Sequence, residues 1–324
     1  LHAPLLLQDS AQLPFLTDLL LRRFLKKIEK RIGDVPIESY RDMELAELGK
    51  ELERLLSIQA ELQVKNQWGY GKATLYTWFL RQCAFKLCKN DDAWVLGKLR
   101  RIPDNVTLRC QRDLDKIAGL CDEQIRAAVF GKIDDREAYE ELLTQFANHP
   151  VAREFRRFVE KYRYRSANRD FIHPRWDETP EAIIGMIGRR LDVSGKNAEG
   201  WLRHSKDVRL HRVSEKKTTP VDFLLKPLVQ GARTFLALRE ELRWGLDKIF
   251  YRIRRVVLEI SRRPQFASYR NIPDAVFFLE LNELRRILAG KAATGRFLNR
   301  VEYRREAYIE EKDVSPPYYV GIDP

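Results

Sequence analysis

Glycine and proline are scarce in this chain, 16 and 14 among 324 residues. A β-sandwich or barrel needs such residues at its many turns, so their scarcity argues for helices. Cysteine is scarcer still. Cys83, Cys88, Cys110 and Cys121 contain no CxxC pair and lie far in sequence from His173 and His204. That spacing argues against a zinc site, and four cysteines in so long a chain are no disulfide framework. They read as free thiols in a reducing, cytoplasmic compartment. No apolar run reaches the roughly 20 residues of a membrane span. The patchily apolar Leu1–Leu21 is broken by Asp9, Pro14 and Asp18 and lacks the basic start of a signal peptide. Strand–helix alternation of βαβ length is missing, as is any repeat of fixed period. HExxH, GxSxG and EF-hand patterns are missing too, so no catalytic or metal-ligating residue is assigned. The chain begins at Leu1 rather than Met, which predicts a piece cut from something longer.

What is present is charge and helical rhythm. Charged residues make up 33% and hydrophobic residues 44%, enough for a sizeable core under wide polar faces. The net charge of +12 attracts polyanions, phosphates or acidic surfaces without choosing among them. The basic residues are spread out, densest at 153–175 and 252–270, with no Lys/Arg block, so nucleic acid is set second. Apolar residues recur at three- and four-residue steps over 15–28, 43–62 and 74–88. Asp104–Thr107 reads as a turn leading into a helix, 134–148 as a helix ended by His149-Pro150, and 151–162 as another. Thr179-Pro180-Glu181 is a helix start, with Thr179 as cap. A polar loop over 192–219, with a short helix near Trp201, precedes the longest periodic run, 220–262. At about 1.5 Å per residue that run is a rod of roughly 60 Å, bent near its start by Pro227. The segment AVFFLEL after Pro273-Asp274 begins extended and then turns helical. The expected fold is mainly α: a multi-helix array with one very long helix and few or no strands.

Most chemistry-bearing patterns have a plain structural reading. Trp68–Thr74, with its two glycines, reads as a helix-connecting loop rather than a phosphate cradle, since it lacks the GxxxxGK[ST] spacing. Adjacent acids such as Glu240-Glu241 point apart on a helix and read as solvated charge. The five histidines, His2, His149, His173, His204 and His211, default to helix-terminus or surface roles. The stretch Phe158–Trp176 is different: two tyrosines, four arginines, a histidine and a tryptophan in nineteen residues. Arg165 and Arg169 share a helix face. Guanidinium forks suit phosphate or carboxylate, and Tyr or Trp can stack on a ligand ring. The competing reading is an ion-pair network with Asp170, Asp177 or Glu178.

This stretch resembles a segment of phosphoenolpyruvate synthase-like and rifampicin phosphotransferase-like proteins. The pattern F-x-x-x-Y-G-x-R followed by P/T-R-W is met by Phe158, Tyr162, Arg165, Pro174, Arg175 and Trp176. Arg239-Glu240, Arg254-Arg255, the run Ile272–Leu284, and Arg304-Arg305-Glu306 with Pro316-Pro317 and Gly321 follow in order. The family's glycine after the tyrosine is Arg163 here, and its frequent histidine before the arginine is Tyr164. The resemblance covers 150–324. It implies an N-terminal helical part over 1–150, a helical acceptor-binding part over 151–315, and over 316–324 the start of a linker to a swivelling domain. It also implies a small-molecule phosphoryl acceptor. ATP-grasp and phosphohistidine domains of the same parent chain, using ATP and Mg, would supply the phosphoryl group; this chain would carry no cofactor and transfer nothing alone. The acceptor would meet Arg165, Arg169, Arg175, Arg239 and Arg243, with Tyr162, Tyr164, Trp176 and Trp244 as aromatic surface. The alternative is a non-catalytic helical scaffold whose basic surface meets nucleic acid or an acidic partner.

Overall fold

The structure, a computed structural model, describes residues 14–88, 92–99, 102–131, 134–166, 168, 170–195, 220–290 and 295–312. Ten α-helices can be followed among them: α1 Pro14–Gly33, α2 Leu45–Cys88, α3 Asp92–Leu99, α4 Val106–Gly119, α5 Asp135–Thr144, α6 Pro150–Tyr162, α7 Glu181–Gly195, α8 Pro220–Ser261, α9 Leu281–Leu288 and α10 Gly295–Lys312. A helical turn at Glu123–Ile125 runs into a π-helical turn at Arg126–Phe130, and 3-10 turns span Ile37–Arg41, Pro264–Tyr269 and Ala275–Phe278. No strand occurs among the described residues, so the mainly α expectation holds, as does the very long helix at 220–261. The expected short helix near Trp201 lies outside the described residues, as does Arg169.

The chain divides into two compact units. The first takes 1–33, 58–169 and 173–250, and the second takes 34–57, 170–172 and 251–324. In the first unit, α4 begins where Asn105 turns extended and its carboxamide oxygen accepts from the N–H groups of Thr107 and Leu108, both at 3.1 Å. Such a cap stabilises a helix by about 1 kcal/mol. His149 does the same for α6: its Nδ1 accepts from Val151 N at 3.3 Å, and Pro150 sits in the first turn. His149-Pro150 therefore opens a helix instead of closing one, because α5 has already ended at Thr144. Buried Val151, Ala152, Phe155, Phe158 and Tyr162 of α6 join Cys110, Leu114 and Ile117 of α4 and Ile183, Ile184 and Ile187 of α7 in one core. Each such side chain contributes up to roughly 1.5–3 kcal/mol by leaving water. Burial pushes the Cys110 and Cys121 thiols up, Cys121 to about 11, and the Cys121 thiol donates to Ile117 O.

One expectation fails here. Trp68–Thr74 is neither a loop nor a phosphate cradle; α2 runs straight through it. Gly69 serves close packing, as does Gly231 of α8. A Cβ on Gly69 would lie 2.7 Å from Leu242 Cδ1, and one on Gly231 of α8 would collide with the Tyr76 ring. The Tyr76 ring centroid lies 5.1 Å from that of Phe235, which fills the same crossing. Pro227 lies inside α8; the carbonyl it leaves without a helical partner belongs to Phe223, which is exposed to water.

In the second unit, Arg263 gathers three carbonyls, those of Tyr40 (3.3 Å), Arg41 (2.9 Å) and Met43 (2.7 Å). The Tyr40 hydroxyl donates to Glu51 Oε1 at 3.0 Å, and burial pushes this phenol up to about 12. The AVFFLEL segment opens as a 3-10 turn, not extended; Leu279 and Glu280 are extended, and α9 follows. Glu280 and Glu283 form a capping box at the start of α9, and Arg304 of α10 donates to both, at 2.8 Å and 2.6 Å. Burial raises the Glu283 carboxyl, but the Arg304 hydrogen bond and the Glu280 N–H outweigh it and hold the group below its ordinary 4.5.

Two outcomes follow. Gly231→Ala lowers the unfolding midpoint, since overpacking costs about 1–3 kcal/mol. Gly97→Ala in α3, where a Cβ meets nothing within 4 Å, raises it or leaves it unchanged, because alanine gains about 1 kcal/mol in a helix. A depressed carboxyl stabilises above its unfolded value and loses that contribution as pH falls through the folded one. Acid unfolding below pH 4.5 is therefore less steep in Glu283→Gln than in the parent, while Arg304→Ala weakens the protein at neutral pH by about 1–3 kcal/mol.

Candidate functional site

The residues singled out in Phe158–Trp176 fold into a closed excursion after α6. Arg165 N donates to Tyr162 O at 3.0 Å, and Trp176 N returns to Arg165 O at 2.8 Å. The Ser166 hydroxyl closes on Pro174 O at 2.8 Å. Phe158 stacks on Trp176 with centroids 5.8 Å apart, which fixes the tryptophan against α6. The Arg165 guanidinium carbon then lies 5.9 Å from the Trp176 ring and 5.7 Å from the Trp244 ring of α8. Each cation–π contact contributes roughly 0.5–2 kcal/mol.

From that position Arg165 Nη2 donates to Thr107 Oγ1 at 3.2 Å, and the Thr107 hydroxyl donates to Glu240 Oε2 at 2.8 Å. The other oxygen of Glu240 accepts from Arg239 Nη2 at 3.0 Å and lies 3.9 Å from Arg243 Nη1. Two guanidinium groups thus meet one carboxylate, and a third reaches it through the Thr107 hydroxyl. Beside it, Glu241 Oε1 accepts from Val106 N at 3.0 Å and Arg109 Nη2 at 2.8 Å, taking the backbone donor that opens α4. An anion at a helix start is favoured by both the open N–H and the helix dipole. Tyr164 and Tyr162 meet Trp244 edge-on, at 5.5 Å and 6.0 Å. Lys248, ion-paired to Glu29, lies 5.6 Å from the Trp244 ring.

The predicted residues sort themselves by this geometry. Arg165, Arg239, Arg243 and Trp244 come together around Glu240, with Tyr164 on the flank. Tyr162 is buried; its hydroxyl donates to Asp113 at 2.9 Å, and burial first, then Asp113, push its phenol well above the ordinary range. Trp176 is buried, and its indole N–H makes no hydrogen bond among the described residues. Arg175 is fully buried, so it presents no surface to a ligand in this structure. The competing ion-pair reading is met by Arg163, which lies 3.6 Å from Asp177. The carboxylates that meet Arg239, Arg243 and, through Thr107, Arg165 are different ones. Glu240 and Glu241, read from sequence as solvated charge, are only 16% and 17% exposed. Sequence reasoning also passed over Thr107, Arg109 and Lys248. A signal existed: an acid pair flanked by Arg239 and Arg243 and set between core residues Leu238 and Leu242 cannot all face water.

A family model described as the rifampicin phosphotransferase fourth domain matches residues 70–240, just over half of the chain. The chain belongs to this family of phosphoenolpyruvate synthase-like and rifampicin phosphotransferase-like proteins, and is a phosphotransferase-related helical domain. The match begins well ahead of 150, so residues 70–88 of α2 and all of α3 to α5 are family sequence too. It ends at Glu240, which leaves Arg243 and Trp244 one turn beyond it. No curated protein matches the chain. Trp68–Thr74 is helix, and no three His, Cys, Asp or Glu side chains among the described residues converge as metal ligands. No helix among the described residues is long and apolar enough to cross a membrane.

Glu241→Ala strips Val106 N and Arg109 of their acceptor while leaving the apolar core intact. It lowers stability by about 1–3 kcal/mol in denaturant unfolding. Glu241→Gln, which keeps one acceptor oxygen, recovers part of the loss.

Proposed function

We propose that this chain is the acceptor-holding helical part of an ATP-dependent phosphotransferase. In this reading the phosphoryl group comes from ATP-grasp and phosphohistidine domains of the same parent chain, with ATP and Mg bound there. The isolated chain transfers nothing. The observation that carries the reading is the arrangement around Glu240: Arg239, Arg243 and, through Thr107, Arg165 share its carboxylate while Arg109 takes Glu241, so positive charge stays in excess beside the Trp244 and Tyr164 rings. Arg239 and Arg243, on the solvent side, orient an anionic or hydroxyl-bearing acceptor, and their charge stabilises the oxygens of the incoming phosphoryl group. Trp244 and Tyr164 give the acceptor an aromatic wall. Arg165 acts from behind, holding Trp244 and Thr107 in position. Family membership supports the reaction class.

Tryptophan fluorescence tests this. Titration with rifampicin, the compound in the family's name, and with small phenolic carboxylates gives saturable quenching for at least one probe. Arg243→Ala and Trp244→Ala weaken it at least tenfold with helical circular dichroism unchanged. Quenching that survives both replacements, or none with any probe, removes the reading. Oligonucleotide mobility across a salt series is the control: steep salt dependence without acceptor binding supports a basic scaffold instead.

A further inference from the structure

From Leu62 to Asn90 the sequence contains no Asp or Glu, while Lys65, Lys72, Arg81, Lys86 and Lys89 fall within it. Residues 62–88 of it are the second half of α2. Lys72 is buried with its ammonium 5.3 Å from the Trp68 ring, so the outward charge there comes from Lys65, Arg81 and Lys86. Large apolar side chains stand out on the same side. Phe85 is 71% exposed, Val64 68%, Tyr70 53% and Trp78 52%. At 100° per residue, Val64, Tyr70, Trp78, Arg81 and Phe85 fall within one third of the helix circumference, and Lys86 borders it. The stripe runs roughly 30 Å at about 1.5 Å per residue. A solvated helix face seldom carries this much aromatic surface, and Trp, Tyr and Arg are the residues that anchor protein interfaces.

The complement lies on α10. That helix turns Val301 inward and spends Arg304 on Glu280 and Glu283. It turns outward Glu302, Tyr303, Glu306, Ile309 and Glu310, all exposed, Tyr303 at 73%. These too share about a third of the circumference, with carboxylates at four-residue steps among two apolar side chains. We propose that the exposed α2 face of one copy of this chain docks on the α10 face of a second copy. Trp78 and Phe85 pack against Tyr303 and Ile309, and Arg81 and Lys86 face Glu302 and Glu306. The two faces differ, so each copy offers both halves of the contact, which pairs reciprocally in a two-fold dimer or continues head to tail. Two single helix faces make a small interface, which places the association in the micromolar range or weaker.

A contact between two different faces predicts a rescue on mixing. One variant carries Arg81→Glu and Lys86→Glu, and the other carries Glu302→Lys and Glu306→Lys. Sedimentation velocity of the parent chain is expected to show mass rising with concentration, less so at high salt. Each variant alone, folded by circular dichroism, associates at least tenfold more weakly, because its two faces now bear like charge. An equimolar mixture regains association, because each reversed face then meets an opposite one. Phe85→Glu weakens association in either background. A parent chain that stays monomeric at every concentration overturns the proposal, as does a mixture no better than its parts. Pelleting of a monomeric chain with anionic vesicles, or an oligonucleotide shift that Phe85→Glu abolishes, also overturns it by giving the α2 face another occupant.

Discussion

A single carboxylate sets the geometry of the first unit. The opening turn of α4 presents N–H groups that no helical carbonyl can satisfy. Asn105 takes those of Thr107 and Leu108, and Glu241 takes that of Val106. Because Glu241 belongs to α8, the end of one helix is pinned to the middle of another far away in sequence. The hydroxyl of Thr107 is then directed at Glu240, and the arginines arrange themselves around what is left. An acid that looks like a ligand's competitor is also what keeps the cationic cluster ordered before any ligand arrives.

The fold was legible where a local rule met a periodic pattern. Asn105 before α4, the apolar face of α6 and the long run of α8 could all be read, because caps and three-to-four spacing act over one or two turns. The glycine pair at 69 and 71 could not. Glycine ordinarily signals a turn, and here Gly69 marks close helix packing, a fact held by Leu242 of α8 rather than by neighbours in sequence. His149-Pro150 misled for a related reason: the same dipeptide can follow one helix or start the next, and only the early end of α5 decides.

The site was half legible. Composition in Phe158–Trp176 located the aromatic and cationic material, and the geometry keeps Arg165, Tyr164 and Trp244 close together. What sequence could not supply is depth. Arg175 and Trp176 follow a proline in the same rich stretch as Arg165, yet both are buried while Arg165 is only partly so. Depth depends on which way a chain excursion folds back, here fixed by the Trp176–Arg165 backbone bond and the Phe158 stack. The same blindness hid Glu240 and Glu241, whose burial comes from α4 packing over them.

The buried thiols bear on a different matter. Free cysteine in a chain of this size reads as a mark of a reducing cell interior, yet Cys110 and Cys121 owe their state to packing. Only the deprotonated sulfur attacks oxidants or disulfides. With both groups titrating above the ordinary range, and Cys121 near 11, the nucleophilic form is rare at neutral pH and shielded by the α4 core. Their survival is secured by the helices themselves, so Cys110 and Cys121 would stay unmodified under peroxide or in an oxidising fluid, where the half-exposed Cys83 would not be protected in this way.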